Sequence, residues 1–400
     1  MARLHWKAVT VLFCGGWVIA YVNRIILAVV LKDLGLEWSL TKTQLGLISS
    51  AFFVMYALLQ IPMGALADRH GAGKVVAGGF LAQGLASLIC AISPGPGAFV
   101  AGRVLAGAGQ SGYYASQYAL ATAMMPPERR TLGSAVINSG MGLGMMLGFA
   151  GLAAAIAVAG VSWRGAFALV GAVVLAYTLL LAVLVGNRRT ATVRAQQVAA
   201  RGADRLVRLR TLWPVLVVAF TSMYGALSLI SWLPYAVSEA GFTPIAGGLV
   251  SAVMPAVGVP ASLLVAVQAD RLTAKEPLLA GLSGTFGIAL ACVALARSPM
   301  GLIAALAVMG LTSKLVIDPV LVVVIAEHAP ADDLAMTFAA VNFVGTTAMV
   351  AGPAVTGWLV DLTGGFLAPF LLAGFLQLVG MAALCGARGR RRGLHVAKAA

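Results

Sequence analysis

The chain has 400 residues, 60% of them hydrophobic and only 10% charged, which excludes an ordinary water-soluble domain with about 25% charged residues. A backbone in such surroundings must satisfy its polar groups internally, so an all-α membrane protein is expected. The formal net charge of +14 would suggest nucleic acid in a soluble protein, but these cations fall between apolar runs, as the positive-inside rule has it, and no nucleic-acid partner is expected.

The N-terminus is short and basic (Arg3, Lys7) and leads into an apolar stretch of about 24 residues, too long for a signal-peptide core. It reads as a retained first helix. Twelve apolar spans are predicted. The first six run roughly over 8–31, 45–67, 74–93, 98–123, 132–159 and 165–186. The second six run roughly over 212–237, 245–269, 277–296, 300–326, 334–360 and 366–386. The expected organisation is a six-helix bundle over 1–187, a basic cytoplasmic linker over 188–210, a second bundle over 211–387 and a basic tail over 388–400.

The halves repeat. A shift of 202 residues lays Gly46, Leu47, Ser49, Asp68 and Arg69 on Gly248, Leu249, Ser251, Asp270 and Arg271. A shift of 204 lays Pro126, Ala135, Asn138 and Gly148 on Pro330, Ala339, Asn342 and Gly352. About 20 of the 27 cations fall on the side of the N-terminus, the linker and the tail. Only Lys32, Lys42, Arg164 and Arg297 fall in the opposite loops, so both termini are expected in the cytoplasm, with the basic segments also near anionic lipid.

Between the second and third spans lies Gly64 to Lys74, GALADRHGAGK. Gly64 would let another backbone come close, Gly71 and Gly73 would make the tight turn, and Asp68, Arg69 and Lys74 can stay charged where the chain leaves lipid. The string resembles the loop between helices 2 and 3 of the major facilitator superfamily, G-x-L-A-D-R-x-G-x-[RK]-[RK], with Gly73 where a cation is common. The resemblance covers nearly the whole chain. It implies two parallel six-helix bundles related by an axis along the membrane normal, and transport by alternating access. It also implies a conformational role for Gly64, Asp68, Arg69, Gly71 and Lys74, with Asp270 and Arg271 as a worn copy. Asp68 would meet the N-terminal end of helix 11 in one state.

Inside the spans remain Arg24, Arg103, Lys314 and Asp318. Each costs a few kcal/mol at mid-bilayer unless it faces a cavity or a partner. Three cations against one anion suit an anionic cargo. Arg24 lies about 11 Å from the outer end of its helix, too far to snorkel easily. Tyr21-Val22-Asn23-Arg24 resembles helix 1 of the organic-anion (anion:cation symporter) branch of the superfamily, where the Arg fork holds a carboxylate or phosphate. Arg103, Gly107 and Gly109 resemble the family's helix 4 motif R-x-x-x-G-x-G, which implies a conformational role for Arg103. Gln110, Tyr113, Tyr114 and Gln117 fall at i, i+3, i+4 and i+7 and are expected to form one polar face. The repeat puts Lys314 on Gln110, so both are expected at a central cavity, together with Asn138 and Asn342. Asp318 follows Lys314 by one turn, as an ion pair or a proton site. Proton-coupled sugar-acid members commonly carry Asp and Glu at the positions of Asn23 and Gln110, so proton symport competes here with exchange and uniport. Gly140, Gly144 and Gly148 form a stripe, echoed by Gly352-Pro353, that resembles the family's rocking interface.

No phosphate loop is present, so neither ATP-driven transport nor an enzyme is expected. Cys14, Cys90, Cys292 and Cys385 lie far apart, and His5, His70, His328 and His395 sit at span ends or termini. No metal, cofactor or disulfide is expected. The expected function is secondary transport of a small organic anion, a carboxylate, by a monomer of a bacterial-type inner membrane, with protons as a candidate partner. A drug efflux carrier would want a larger apolar pocket with an embedded acid. A non-transporting receptor would have no need of ionised groups in lipid.

Overall fold

The computed structural model describes residues 5–185, 212–269, 271–272, 274–328 and 334–399, and every described element is a helix. The first half contains α1 (Trp6–Glu37), α2 (Lys42–His70), α3 (Ala72–Ala91), α4 (Pro96–Ser111), α5 (Tyr113–Met124), α6 (Arg130–Met146), α7 (Leu152–Ala159) and α8 (Trp163–Leu184). The second half contains α9 (Trp213–Glu239), α10 (Pro244–Ala269), α11 (Glu276–Leu295), α12 (Pro299–Thr312), α13 (Lys314–His328), α14 (Leu334–Thr363) and α15 (Leu367–Ala399). Among the described residues 11 helical stretches are long and apolar enough to cross a membrane, two of them, Pro127–Ala159 and Pro299–Glu327, made of consecutive pieces. The twelfth span, expected over 98–123, is present in two pieces because α4 stops at Ser111 and α5 restarts at Tyr113.

Local chemistry sets the helix ends. Thr41 and Gln44 close a capping box on α2, and Ser162 and Ser298 cap the helices that follow them. Gly71 ends α2 at φ 97°, a conformation that only glycine adopts without strain, so it alone makes the turn into α3. Gly73 is already in the first turn of α3, which corrects the expectation of a two-glycine turn. At Gly64 an added Cβ would meet nothing within 4 Å, so the close approach expected there is not made.

The chain divides into two compact units, one of Met1–Gln197 with Ile230–Ala252, the other of Val198–Leu229 with Val253–Ala400. The linker expected over 188–210, and Asp270, lie outside the described residues. Residues Ile230–Ala252 belong with the first unit for visible reasons. Lys42 forms an ion pair with Glu239 at 3.1 Å and also contacts Tyr235. Gly248 lies 2.6 Å, measured from its ideal Cβ, from the carbonyl of Phe149, in the π-helical turn Leu147–Gly151 that joins α6 to α7.

Glycines let the helices of the first unit touch backbone to backbone. Gly79 and Gly109 face one another across α3 and α4, and Gly107 of α4 lies on the Phe52 carbonyl of α2. The stripe Gly140, Gly144 and Gly148 lies on Cys14, Val18 and Ile25 of α1. It therefore seals α1 to α6 inside one unit, a correction to the expected rocking interface. At the end of this unit away from Gly71, Glu37 accepts from Trp163 Nε1 at 2.6 Å and from Arg164 at 2.9 Å, and Arg164 also donates to the Ser93 carbonyl at 3.3 Å. In the second unit Gly287 and Gly374 repeat the facing-glycine contact between α11 and α15, and Gly310 lies on the Met254 carbonyl.

Candidate functional site

The site is built where α1 and α2 cross. Helix α1 places Arg24 among four aromatic rings. Its guanidinium carbon is 4.7 Å from the centroid of Tyr21, 5.5 Å from Phe52, 5.4 Å from Phe53 and 5.5 Å from Tyr56. Rings at this range stabilise a cation through their π faces but neutralise nothing. The buried Arg24 Nε makes no hydrogen bond. The three aromatics from α2 were missed in the sequence. Their signal was the string Phe52-Phe53-x-x-Tyr56 at the middle of the second span, i, i+1 and i+4 on one helix face.

Behind Arg24 lies a second cation. Arg103 of α4 is 2% exposed, sits 5.0 Å from the centroid of the same Phe52 ring, and donates from Nη1 to the Asn23 carbonyl at 3.4 Å. Its Nε makes no hydrogen bond. Asn23 is buried and donates its amide to Ser87 Oγ at 2.8 Å, and Ser87 donates to the Gln83 carbonyl. Asn23 Oδ1, Gln83 Nε2 and both amide atoms of Gln110 are buried without a partner. The described ion pairs involve Lys42, Arg164, Lys275 and Lys314, and neither Arg24 nor Arg103 takes part in one.

The polar face expected from Gln110, Tyr113, Tyr114 and Gln117 is not one face. Gly112 parts α4 from α5, and within α5 Tyr113 and Gln117 turn inward whereas Tyr114 turns out. Gln110 and Gln117 are buried, and Gln117 accepts from Trp17 Nε1 at 3.3 Å. Tyr113 is buried against Trp17 and Phe80 and donates to the Phe13 carbonyl at 3.0 Å. Tyr114 is 52% exposed. Asn138 accepts from Tyr118 at 2.8 Å.

The second unit holds its cation differently. Helix α12 ends at Thr312, Ser313 is extended, and α13 opens on Lys314. Lys314 is ion-paired with Asp318 one turn along, whose side chain is 48% exposed. Asn342 is exposed on α14. Asp68 and Arg69 in the last turn of α2, Lys74 in the first turn of α3, and Arg271 are exposed.

Two bundles of apolar helices, with cations kept inside spans and glycine seams between helices, define a multi-pass membrane transporter rather than an enzyme. The family model of the Major Facilitator Superfamily matches residues 12–296 and 269–399, and the chain belongs to that family. It is 30% identical to the probable sulfoacetate transporter of Cupriavidus necator, over 92% of this chain and 90% of that one. It is 25% identical to the hexuronate transporter of Bacillus subtilis, again over 92% and 90% of the two chains. The crystal structure of a bacterial homologue of the human lysosomal transporter Spinster shares the fold, with TM-score 0.79 at 16% identity over 97% of this chain and 98% of that one.

Proposed function

We propose that the chain is a secondary carrier of a small organic anion, with Arg24 as the group that receives it. The observation that carries this reading is a cation walled by four rings, with a buried Nε unpartnered and no carboxylate beside it. A guanidinium so placed lacks a counter-ion, and an anionic ligand supplies one in bidentate geometry. The names of the relatives point the same way, since sulfoacetate and hexuronate are both small organic anions. The exposed Tyr114 and the half-buried Asn138 are the further candidates of the first unit, and Lys314 and Asn342 those of the second. Gln110, Tyr113 and Gln117 leave the set of direct contacts, because their side chains are buried in bundle packing.

Coupling is assigned to the Lys314–Asp318 pair. An anion that engages Lys314 competes with Asp318 for it, which makes Asp318 the candidate group through which anion and proton movement are coupled. Exchange is the second reading, favoured by the neutral Asn23 and Gln110. Proteoliposome uptake of a panel of labelled organic anions, with and without a pH gradient, separates the two. Uptake that ignores the gradient leaves exchange or uniport, and failure of every anion overturns the carrier reading. Both termini face the cytoplasm in this account, and the end of α2 at Asp68 takes part in alternation. Asp68→Asn is expected to slow turnover several-fold while the folded yield stays unchanged; normal turnover removes that role.

A further inference from the structure

The cations of the first unit come as a pair. Arg24 and Arg103 approach one ring, Phe52, at 5.5 and 5.0 Å. Asn23 lies between them in the chain of contacts: it precedes Arg24, its carbonyl accepts from Arg103, and its amide is held by Ser87. A carboxylate at this position would cancel one charge, but Asn23 is neutral and its Oδ1 is without a partner. Gln110, two turns along α4 from Arg103, is neutral as well and unpartnered at both amide atoms. Two guanidinium groups this close with no counter-ion are costly, because they repel each other and because Arg103, buried, has lost its hydration while Arg24 is half-buried. A monoanion on Arg24 cancels one of the two charges. A dianion cancels both.

We propose that Arg103 sets the valence of the cargo, so that the site takes a short dianion, a dicarboxylate or a sulfonate-carboxylate, in preference to a monocarboxylate or a monosulfonate. The inference rests on the reading that Arg24 receives the anion. Arg103 is a positioning residue here. It is 98% shielded, and it acts through its field, through Phe52 and through the Asn23 carbonyl rather than by touching the ligand. One unit charge acting across about 10 Å at an effective dielectric of about 20 changes affinity about tenfold. That is the size of the preference expected.

The test is calorimetry on the full chain in nanodiscs of zwitterionic lipid, at neutral pH and fixed low ionic strength, since salt screens the effect. The probes are malonate and sulfoacetate against acetate and methanesulfonate. The dianions are expected to bind about tenfold or more tighter than the monoanions. Arg103→Lys keeps the charge and should keep the ratio. Arg103→Gln should lower the ratio about tenfold, a change that loss of packing alone would not produce, because it would weaken both classes alike. Asn23→Asp adds a charge without removing volume, so it decides the matter should Arg103→Gln fail to fold; it too should lower the ratio about tenfold. Equal binding of both classes by the unaltered protein overturns the valence claim and leaves the carrier reading standing. A ratio untouched by Asn23→Asp also overturns it. No binding of any probe, in the unaltered protein and in Arg24→Ala alike, overturns both.

Discussion

Each unit lays a helix glycine on a backbone carbonyl two spans earlier. In the first, a Cβ at Gly107 would lie 2.1 Å from the Phe52 carbonyl oxygen; in the second, a Cβ at Gly310 would lie 2.7 Å from that of Met254. The scaffold is duplicated, but the chemistry mounted on it is not. Phe52 turns an aromatic face to two guanidinium groups, whereas Met254 has no such face to offer. The first unit leaves its cations without carboxylates; the second pairs Lys314 with Asp318. Backbone contact tolerates only glycine, so duplication preserves it. The side chains on either side are under no such geometric demand, so charge was free to diverge.

The largest effect expected from breaking this contrast is at Arg24. Arg24→Ala should weaken anion binding about 100-fold, and Arg24→Lys, which keeps the charge but loses the fork, about tenfold, both read by calorimetry. Wild-type affinity in Arg24→Ala would end the assignment of an anion to the first unit. Next come the paired glycines. Gly107→Ala should cost about 2–3 kcal/mol of stability and also weaken anion binding by shifting Phe52, while Gly310→Ala should cost about 1–2 kcal/mol. Denaturant unfolding in detergent ranks them, and the reverse order would show that the two contacts are not equivalent.

A smaller change makes the second unit resemble the first. Asp318→Asn leaves Lys314 without its acid. Accumulation driven by a pH gradient should then fall to the level seen without one, with anion exchange held within about twofold, as measured in proteoliposomes. A mutant that still follows the gradient would place the proton site elsewhere. The smallest effect is expected at Glu37. It ties α1 to α8 through Trp163 and Arg164, but both charged side chains are 38% exposed. Glu37→Gln should cost only about 0.5–1 kcal/mol after solvent screening. A larger loss in thermal unfolding would mean that the clamp carries more of the unit than its exposure implies.

Much of the fold was legible in the sequence because bilayer thickness imposes a length on each apolar run, and duplication leaves matching residues at a constant offset. The Gly71 turn and the Lys314–Asp318 spacing were legible for a related reason, being local. What escaped was partnership. Helical periodicity tells which residues share a face but not what that face meets, so the stripe Gly140, Gly144 and Gly148 was matched to the wrong neighbour. Periodicity also leaves open where a face divides, and of the residues expected on one face Gln110, Tyr113 and Gln117 are buried while Tyr114 is exposed. Three of the four rings around Arg24 come from α2, and nothing in the spacing of α1 announces them.

The facing glycines of α3 and α4 have a consequence for inheritance. A Cβ at Gly79 would sit 2.4 Å from the Gly109 oxygen, and one at Gly109 would sit 2.5 Å from the Gly79 oxygen. Every non-silent single-base change in a glycine codon gives either a stop or a residue that carries a Cβ. No descendant of this gene can therefore alter the seam by one step and keep the helices where they are. Changing both positions together does not help, since each new carbon meets backbone rather than its counterpart. The two helices would have to part first, and a lineage that reached that state would have begun to build a different bundle around Arg103.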